Sequence, residues 1–533
     1  MSDSEHAPVL IAGGGLVGLS AAAFLAQQGI RSIVIERLLE SSPLPRAAFF
    51  HMRTLEMFRS IGIEAAVRQR SEQDFVPEGA VVAVDSLAGH VLAQIIPSLN
   101  EGVEAVSPCR RLFLNQPSLE PILRERACEA GATVLQDTQI ERVSQDDDGV
   151  VVAARRASDG AQPRQFRGRY LIAADGGHSQ VRHQLGIGCD GRGTFSNSVT
   201  IYFRADLSPW LADKAWSIVY VNNPVFSGFF RMNRSAQAGF LAVNTIGDPR
   251  QHPLAAMNAT VDVSEARLRE LIRAGVGAPE LPVQIDGISR WRAGTTLARS
   301  FRSGRAFIAG DAAHTMPPTG GFGGNTGVHD AHNLAWKLAL VLNGQASPRL
   351  LDSYESERRP IAHFTVEQAF SRYVTRTAPW LQQQQSFEPV ADDLDIELGY
   401  LYGVPGRVHA DPRTTAGLPG SRAPHIWLLQ DGQRVSTIDL SGQYLLLVGA
   451  AGADWQPAAA AAAAAFGGLK LDTCRIGQDC VDAENRFTAA FGVSDQGATL
   501  IRPDGFVTWR SVGASGQPQA ALQAALAHSL GYG

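Results

Sequence analysis

The chain has 533 residues, of which 45% are hydrophobic and 19% charged, and its formal net charge is −5. This length predicts two to four units with shared or adjoining cores. The net charge gives no sign of the clustered basic face that nucleic-acid binding needs, and no run of about 18 apolar residues is present to cross a bilayer. Residues 1–8 lack the basic flank of a secretory signal, so we expect a cytoplasmic protein.

The first 36 residues predict a strand, a glycine-rich turn, a helix and a second strand. Pro8 to Ala12 is short and apolar, Leu16 to Gln28 has the apolar spacing of a helix, and Ser32 to Ile35 is rich in β-branched residues. A βαβ unit requires parallel strands and a right-handed crossover. We therefore predict an α/β fold from this segment.

The turn of this unit has the pattern G-x-G-x-x-G at Gly13, Gly15 and Gly18, and Glu36 ends the second strand. The first glycine allows a tight turn, the second lets the backbone approach a pyrophosphate, and the third allows close helix packing. Glu36 can accept hydrogen bonds from the hydroxyls of an adenosine ribose. The pattern in this context predicts a dinucleotide site but does not distinguish FAD from NAD.

The pattern changes between about residues 196 and 295, where alternating segments predict a mostly antiparallel sheet inserted into the α/β domain. The α/β pattern returns with the strand Ala306 to Ala309, a glycine-rich loop and a helix over 328–342. A long helix over 350–376 precedes a segment rich in Gln and Pro. The predicted division is a discontinuous first domain (1–77, 103–190 and 290–378), a β-sheet domain that binds substrate (78–102 and 191–289), a linker (379–399) and a third unit (400–533).

Two later segments bear on the identity of the cofactor. Asp175 to Arg182 follows the apolar strand 170–174, and Gly310-Asp311 follows the strand 306–309. Together with the glycine motif, these segments resemble the three fingerprints of the para-hydroxybenzoate hydroxylase family, the group A FAD-dependent aromatic monooxygenases. The segments 309–314 and 320–327 are most similar to the longer members that tailor aromatic polyketides.

The resemblance implies a Rossmann-type FAD-binding domain of the glutathione reductase type, noncovalent FAD, and NADPH or NADH as a transient reductant. It implies hydroxylation of a phenolic, polycyclic substrate by dioxygen through a flavin C4a-hydroperoxide. Baeyer-Villiger insertion or oxidative ring rearrangement on the same fold stays open, as does a flavin-binding protein without turnover. A monomer and a homodimer are both compatible with the sequence, and no metal site is indicated.

Asp311 is expected to accept hydrogen bonds from the ribityl chain, and Gln116 is similar to the family's second ribityl contact. A glycine-rich loop that opens into a helix can lie against the flavin ring and stabilise its negative charge. Arg46 resembles the family arginine that faces the pyrophosphate and the nicotinamide nucleotide. The full set of expected cofactor residues is Gly13, Gly15, Leu16, Val17, Gly18, Glu36, Arg37, Arg46, Ala47, Gln116, Asp175, Gly310, Asp311, Pro318, Gly321, Gly323, Gly324 and Asn325.

Several polar residues near these motifs have two interpretations. Arg53 could form a surface ion pair or contact the cofactor. Asp175 and Arg182 could bind the nucleotides or form a structural pair, and His314 is expected to be structural rather than a catalytic base.

The substrate-site candidates are Tyr220, Phe226 and Trp291 in the alternating strands, and Arg372 and Tyr373 at the end of the long helix. Arg372 and Tyr373 could donate hydrogen bonds to a phenol. The alternatives are core aromatic residues and a solvated helix arginine.

The C-terminal unit resembles the thioredoxin-like tail of the longer family members. A working thioredoxin requires C-x-x-C, whereas Cys474 and Cys480 are six residues apart. We therefore expect this unit to stabilise the protein without redox chemistry.

Overall fold

The computed structural model describes residues 5–41, 48–160, 162–247, 256–383 and 385–533. No helix within these ranges is long and apolar enough to span a membrane. The mixed α/β fold predicted from the first βαβ unit is confirmed.

The first sheet has six strands, and its inner strands are buried. The strands are β2 (Val9–Ala12), β3 (Ser32–Ile35), β8 (Thr133–Leu135), β12 (Tyr170–Ala173), β18 (Arg302–Ser303) and β19 (Ala306–Ile308). Their order is β18-β19-β12-β2-β3-β8, and all neighbours are parallel except β18 and β19.

The helices of this part of the chain are α1 (Leu16–Gln27), α2 (Met52–Ser60), α3 (Glu64–Asp74), α4 (Gln116–Glu129), α5 (Gln180–Gln184), α8 (Phe322–Leu342) and α9 (Asp352–Arg376). Helix α1 is almost wholly apolar and buried, and it packs against both α4 and α8. The helix predicted over 328–342 begins six residues earlier, within the glycine-rich loop.

Two smaller sheets flank the first one. One has the order β1-β11-β10-β9, and the other pairs β4 with β7. Their strands are β1 (Glu5–His6), β4 (Phe49–Phe50), β7 (Leu112–Phe113), β9 (Thr138–Gln145), β10 (Val150–Arg156) and β11 (Arg164–Gly168). The β4–β7 pair is important for the site, because it places Phe49 and Phe113 between the first sheet and the large antiparallel sheet.

The largest sheet has eight strands in the order β20-β17-β13-β16-β15-β14-β5-β6. The strands are β5 (Ala80–Val84), β6 (Val91–Ile96), β13 (Cys189–Arg204), β14 (Trp216–Asn222), β15 (Phe226–Met232), β16 (Ala238–Ile246), β17 (Gln284–Ala298) and β20 (His314–Thr315). All neighbours are antiparallel except β14 and β5. The short helix α6 (Ser208–Leu211) follows β13, and α7 (Glu265–Val276) covers one face.

The C-terminal unit is built on a four-stranded sheet of order β24-β23-β25-β26, in which only β23 and β24 are parallel. The four strands of this sheet are β23 (Tyr444–Val448), β24 (Leu471–Arg475), β25 (Ala498–Ile501) and β26 (Val507–Ser511). The unit also contains a separate two-stranded sheet of β21 (Trp427–Gln430) and β22 (Gln433–Ser436). Its helices are α11 (Trp455–Ala464), α12 (Phe487–Phe491) and α13 (Pro518–Ser529), and α10 (Asp393–Glu397) lies in the preceding segment.

Cys474 and Cys480 are both buried in the core of the C-terminal unit. The two thiols are hydrogen-bonded to each other, and this bond, together with burial, raises the pKa of Cys474, while the same bond lowers the pKa of Cys480. A buried thiol with a raised pKa is a poor nucleophile. The absence of thiol chemistry in this unit stays a prediction.

Buried ion pairs join the C-terminal unit to the first domain. Arg422 donates from Nε to Glu56 Oε2 at 2.9 Å, and Arg53 Nη1 donates to the same oxygen at 2.9 Å. A second cluster joins Arg502 to Glu357 at 2.6 Å. Arg53, expected at the surface or on the cofactor, is instead buried at this junction. A cavity of about 220 Å³ lies beside it, and its lining includes Trp336.

We predict that Arg422→Met lowers the free energy of unfolding by about 3 kcal/mol at neutral pH, because Glu56 then keeps only part of its cationic environment. Burial raises the pKa of Glu56, but Arg422 and Arg53 outweigh burial and lower it to about 2. The stabilisation is therefore complete above the ordinary pKa of 4.5 and is lost as the pH falls towards 2.

The control is Arg413→Met, which removes an exposed ion pair with Asp411 in the same unit. We expect it to cost less than about 1 kcal/mol. Urea unfolding at pH 7 and pH 3 measures both variants. Equal losses for the two variants at pH 7 would contradict the structural role of Arg422.

Candidate active site

Four neighbouring strands end at the same edge of the six-stranded sheet. Gly13 follows β2, Glu36 follows β3, Asp175 lies just beyond β12, and Asp311 lies just beyond β19. Because these strands are parallel and adjacent, the four residues lie along one edge. Ligands of open α/β sheets bind outside this edge.

The three motif glycines have different roles in packing. Gly13 has a φ of +98°, and a Cβ there would lie 2.4 Å from the Ala174 carbonyl oxygen. A Cβ at Gly18 would lie 1.9 Å from the Gly13 carbonyl oxygen, so Gly18 allows α1 to pack on the turn. At Gly15 the nearest protein atom would be 3.5 Å away, which is an ordinary contact. Packing within the protein therefore does not require Gly15, and the space fits the close approach of a ligand.

Helix α1 begins after Gly15 with no side-chain cap and no acidic residue in its first turn. The amide groups of a helix N-terminus attract anions. Leu16 and Val17 begin this helix, so their backbone fits a diphosphate.

Glu36 is fixed at the end of β3. Its Oε2 accepts a hydrogen bond from Gly14 N at 2.5 Å, and its Oε1 accepts one from Leu38 N at 2.8 Å. Gln116 begins α4 and donates from Nε2 to Glu120 Oε1 at 2.5 Å, on the other side of Gly15. Arg37 is exposed beyond Glu36.

The loop after β19 forms a 3-10 turn over Gly310–Ala312. Asp311 is exposed, whereas Gly310 and Ala312 are buried. A Cβ at Gly310 would lie 2.8 Å from Val17 Cγ2, and a Cβ at Gly327 would lie 2.6 Å from the same atom. The two glycines thus bring the Asp311 loop, α1 and α8 into contact.

A buried carboxylate that the sequence analysis missed holds this loop. Asp330 Oδ2 accepts hydrogen bonds from Gly310 N at 3.1 Å and from His314 Nε2 at 2.7 Å, and Oδ1 accepts one from Arg358 Nε at 2.8 Å. Burial raises the pKa of Asp330, but Arg358 and His314 outweigh burial, so the pKa lies below its ordinary value. His314 therefore has the structural role that was expected.

A sequence signal for Asp330 was present. Asp330 is an acidic residue within the mostly apolar stretch Val328 to Leu342, whereas Arg358 lies among other charged residues of the next helix. Buried charges in helices are paired. The sequence could therefore have indicated that Asp330 has a buried partner, but neither which residue that partner is nor the connection to Gly310.

We call Gly320 to Gly324 the second glycine-rich loop. It leads into α8, whose N-cap residue Gly321 provides no side-chain cap. Pro318 is exposed, and Gly323 and Gly324 are half-buried. A Cβ at Gly323 would have its nearest neighbour 3.8 Å away. The N-terminus of this long helix is thus accessible and fits a ligand that carries negative charge.

The Asn325 side chain is fully engaged by the protein. Its Nδ2 donates to the carbonyl oxygens of Phe49 and Gly321, both at 2.8 Å, and its Oδ1 accepts from His51 N and Thr54 Oγ1. A contact between Asn325 and the cofactor would therefore use the backbone of Asn325.

Asp175 and Arg182 bind different partners. Asp175 accepts hydrogen bonds from Ser179 Oγ at 2.5 Å and Val181 N at 3.1 Å, at the start of α5. Arg182 donates to the Ala312 carbonyl oxygen at 2.8 Å. Both residues therefore stabilise loops at the strand edge. Arg46 and Ala47 lie outside the described residues.

We call the face of the eight-stranded sheet that carries Tyr220, Phe229 and Arg231 the inner face. Tyr220 and Phe229 lie 5.8 Å apart between ring centroids and pack in one cluster with Phe49 and Phe113. A Cβ at Gly321 would lie 3.0 Å from Phe49 Cβ, so the inner face adjoins the second glycine-rich loop.

Phe226 is separated from the other candidates. It is fully buried on the opposite face, where a Cβ at Gly275 of α7 would lie 2.9 Å from its ring. The structure thus places Phe226 in the core against α7.

The other candidates form a second aromatic group. Tyr373 OH lies 2.7 Å from Ser196 Oγ, and burial raises the pKa of Tyr373 to about 12. Trp291 Nε1 donates to Thr200 Oγ1 at 3.0 Å. Both pack around Phe195.

Arg372 is only 1% exposed, so the alternative of a solvated helix arginine is wrong. Its guanidinium donates to Asp393 Oδ1 at 2.6 Å and to the Ala391 carbonyl oxygen at 2.7 Å, and it lies 5.2 Å from the Phe322 ring centroid. Arg372 therefore attaches the 379–399 segment to α9, next to the second glycine-rich loop.

Comparison with known proteins agrees with this geometry. Residues 6–369 match the FAD binding domain family, and residues 416–532 match the family of aromatic-ring hydroxylase C-terminal domains. The chain belongs to the family of FAD-dependent aromatic-ring hydroxylases, and it is a monooxygenase, as the sequence resemblance predicted.

The chain is 47% identical to 4-methyl-5-nitrocatechol 5-monooxygenase of Burkholderia sp, over 97% of this chain and 96% of that protein. It is 38% identical to tetracenomycin B2 monooxygenase-dioxygenase of Streptomyces olivaceus, over 99% of both chains. Among solved structures, a ternary complex of aklavinone-11 hydroxylase with FAD and aklavinone superposes with a TM-score of 0.91 at 35% identity, over 99% of this chain and 100% of that one.

We predict that Asp311→Ala weakens FAD binding by about 1 to 3 kcal/mol through loss of a ribityl acceptor, with little change in the melting temperature of the apoprotein. His314→Ala should weaken FAD binding less, because Arg358 still holds Asp330. Asp330→Asn should instead lower apoprotein stability by about 3 kcal/mol, since Arg358 stays buried without its charge partner.

Flavin titration and thermal melting of the apoproteins separate these effects. The assignment fails if Asp311→Ala and Asp330→Asn change FAD affinity and melting in the same proportion.

Proposed function

We propose that the protein uses FAD and NAD(P)H to hydroxylate a phenolic ring with dioxygen. The observation that carries this proposal is the position of the aromatic inner face directly beside the second glycine-rich loop. A flavin ring at that loop would face Phe49 and the sheet, where an aromatic substrate can pack. FAD, when bound, supplies the reaction with dioxygen and the transfer of one oxygen atom.

In this proposal the residues along the strand edge would hold the cofactor. Glu36 accepts hydrogen bonds from the adenosine ribose, and the N-terminus of α1 holds the pyrophosphate. Asp311 and Gln116 hold the ribityl chain. The N-terminus of α8 stabilises negative charge on the reduced ring, because the helix dipole is positive there.

The protein's remaining task is to orient the substrate and exclude water. Tyr220, Phe229 and Phe49 supply apolar surface with a single phenolic hydroxyl. The Tyr373 hydroxyl stays protonated at neutral pH because burial raises its pKa to about 12. It is therefore a hydrogen-bond donor or acceptor and not a base.

Two substrate classes are supported by different observations. The resemblance of 309–314 and 320–327 to polyketide hydroxylases favours a polycyclic phenol. The 47% identity to a nitrocatechol monooxygenase favours a single catechol ring with a nitro group. Hydroxylation of an electron-rich phenol is common to both, and Baeyer-Villiger insertion remains the alternative outcome on the polycyclic class.

We also propose that the C-terminal unit is thioredoxin-like. In order of sequence its core strands are arranged 2-1-3-4, with the first pair parallel and the others antiparallel. Its contribution would be structural, through Arg422 and Arg502 at the junction.

We predict that the purified protein is yellow, releases FAD rather than FMN on acid treatment, and oxidises NADPH or NADH in air faster when a suitable phenol is added. The panel should include 4-methyl-5-nitrocatechol and polycyclic phenols, with mass spectrometry of the products. Release of FMN would contradict the role of Glu36. Pyridine nucleotide oxidation that no phenol stimulates would contradict hydroxylation and favour a flavin-binding protein without turnover.

A further inference from the structure

Arg231 on β15 is a buried cation that the cofactor site does not use. Its side chain lies on the inner face, two residues from Phe229, and the residue is 4% exposed. The guanidinium carbon lies 4.0 Å from the ring centroid of Phe75 and 4.6 Å from that of Phe113. Two aromatic rings therefore hold the guanidinium in place.

Within the described residues, Nε, Nη1 and Nη2 of Arg231 are buried and have no hydrogen-bond partner. Two other buried arginines, Arg358 and Arg422, differ from Arg231 because each forms an ion pair with a carboxylate. Burial lowers the pKa of Arg231 to about 9, and Asp74 opposes this only in part. Aromatic rings stabilise a cation but do not replace hydrogen-bond acceptors. The site is therefore complete only when an acceptor is bound.

The acceptor would be a substituent of the substrate ring, which is proposed to pack against the inner face. Phe113 stacks on Phe49 at 4.8 Å between centroids, and Phe49 abuts Gly321. Tyr220 lies in the same cluster as Phe113. A ring packed against Tyr220 and Phe49 would direct a substituent along Phe113 to the guanidinium.

We propose that Arg231 determines substrate specificity by binding a planar oxygen-acceptor group on the aromatic ring, such as a nitro or carboxylate group. A guanidinium matches such a group because its fork of N–H donors binds two oxygens at once. The inference rests on the proposed function, since it assumes that the inner face binds the aromatic substrate.

The test compares ligand binding by the FAD-loaded protein and its Arg231→Met and Arg231→Lys variants. The probes are 4-nitrocatechol, 3,4-dihydroxybenzoate and 4-methylcatechol. Their binding is measured by the change in flavin absorbance. Arg290→Met on β17 is the control, because Arg290 is exposed on a neighbouring part of the same sheet.

We expect the protein to bind the nitro or carboxylate probe at least about tenfold more tightly than 4-methylcatechol, which corresponds to ~1.4 kcal/mol. Arg231→Met should remove this preference with unchanged FAD content, Arg231→Lys should keep part of it, and Arg290→Met should keep all of it. Arg231→Met should also leave the melting temperature of the ligand-free protein unchanged or raise it, because an unpaired buried charge is removed.

The proposal would be overturned by no preference in the unmodified protein, by an unchanged preference in Arg231→Met, or by loss of FAD from Arg231→Met, which would make Arg231 a cofactor residue. A lowered melting temperature would indicate a structural role and would equally contradict it. Failure of the proposed function has a different signature. In that case the probes bind with the expected preference, but none of them stimulates NADPH or NADH oxidation.

Discussion

The Asp330 carboxylate fixes the geometry on which the proposed cofactor site depends. Through its three partners it joins the loop after β19 to α8 and α9. Asp311 and the second glycine-rich loop both lie in the segment between Gly310 and Asp330, and a hydrogen bond joins the two ends of this segment. The buried charge cluster around Asp330 therefore constrains the distance between Asp311 and the loop. A buried carboxylate is stable only when its partners are in place. We therefore expect these loops to keep their positions when no cofactor is bound.

The same principle explains how the units depend on one another. The C-terminal unit supplies Arg422 to Glu56 and Arg502 to Glu357, and both acids lie on helices of the first domain. Separation of the units would remove a cationic partner from each acid. Arg231 is the contrasting case, because aromatic rings surround its guanidinium and, among the described residues, no carboxylate forms an ion pair with it. Arg358 and Arg422 are paired with carboxylates within the chain, whereas Arg231 lies beside the aromatic cluster that is proposed to bind the substrate.

Local patterns were sufficient to predict the βαβ unit, the strand ends and the positions of Gly13, Glu36 and Asp311, because each depends on residues close in sequence. The connection between Asp330 and Arg358 depends on how two helices pack, which sequence spacing does not specify. Phe226 shows an intermediate case. Phe226 and Phe229 are three residues apart in one strand, so the alternation of side chains already predicts that they lie on opposite faces. Only the packing of α7 against Phe226 shows which of the two faces is turned away from the site.

Hydrogen–deuterium exchange of the apoprotein and the FAD-loaded protein tests the location of the cofactor most directly. If the strand edge binds FAD, exchange should slow in peptides that cover 13–18 and 310–327, while peptides of the C-terminal sheet such as 471–475 change little. The account would be contradicted if protection were confined to the cavity beside Trp336 at the junction of the units and the 13–18 peptide exchanged at the same rate in both states.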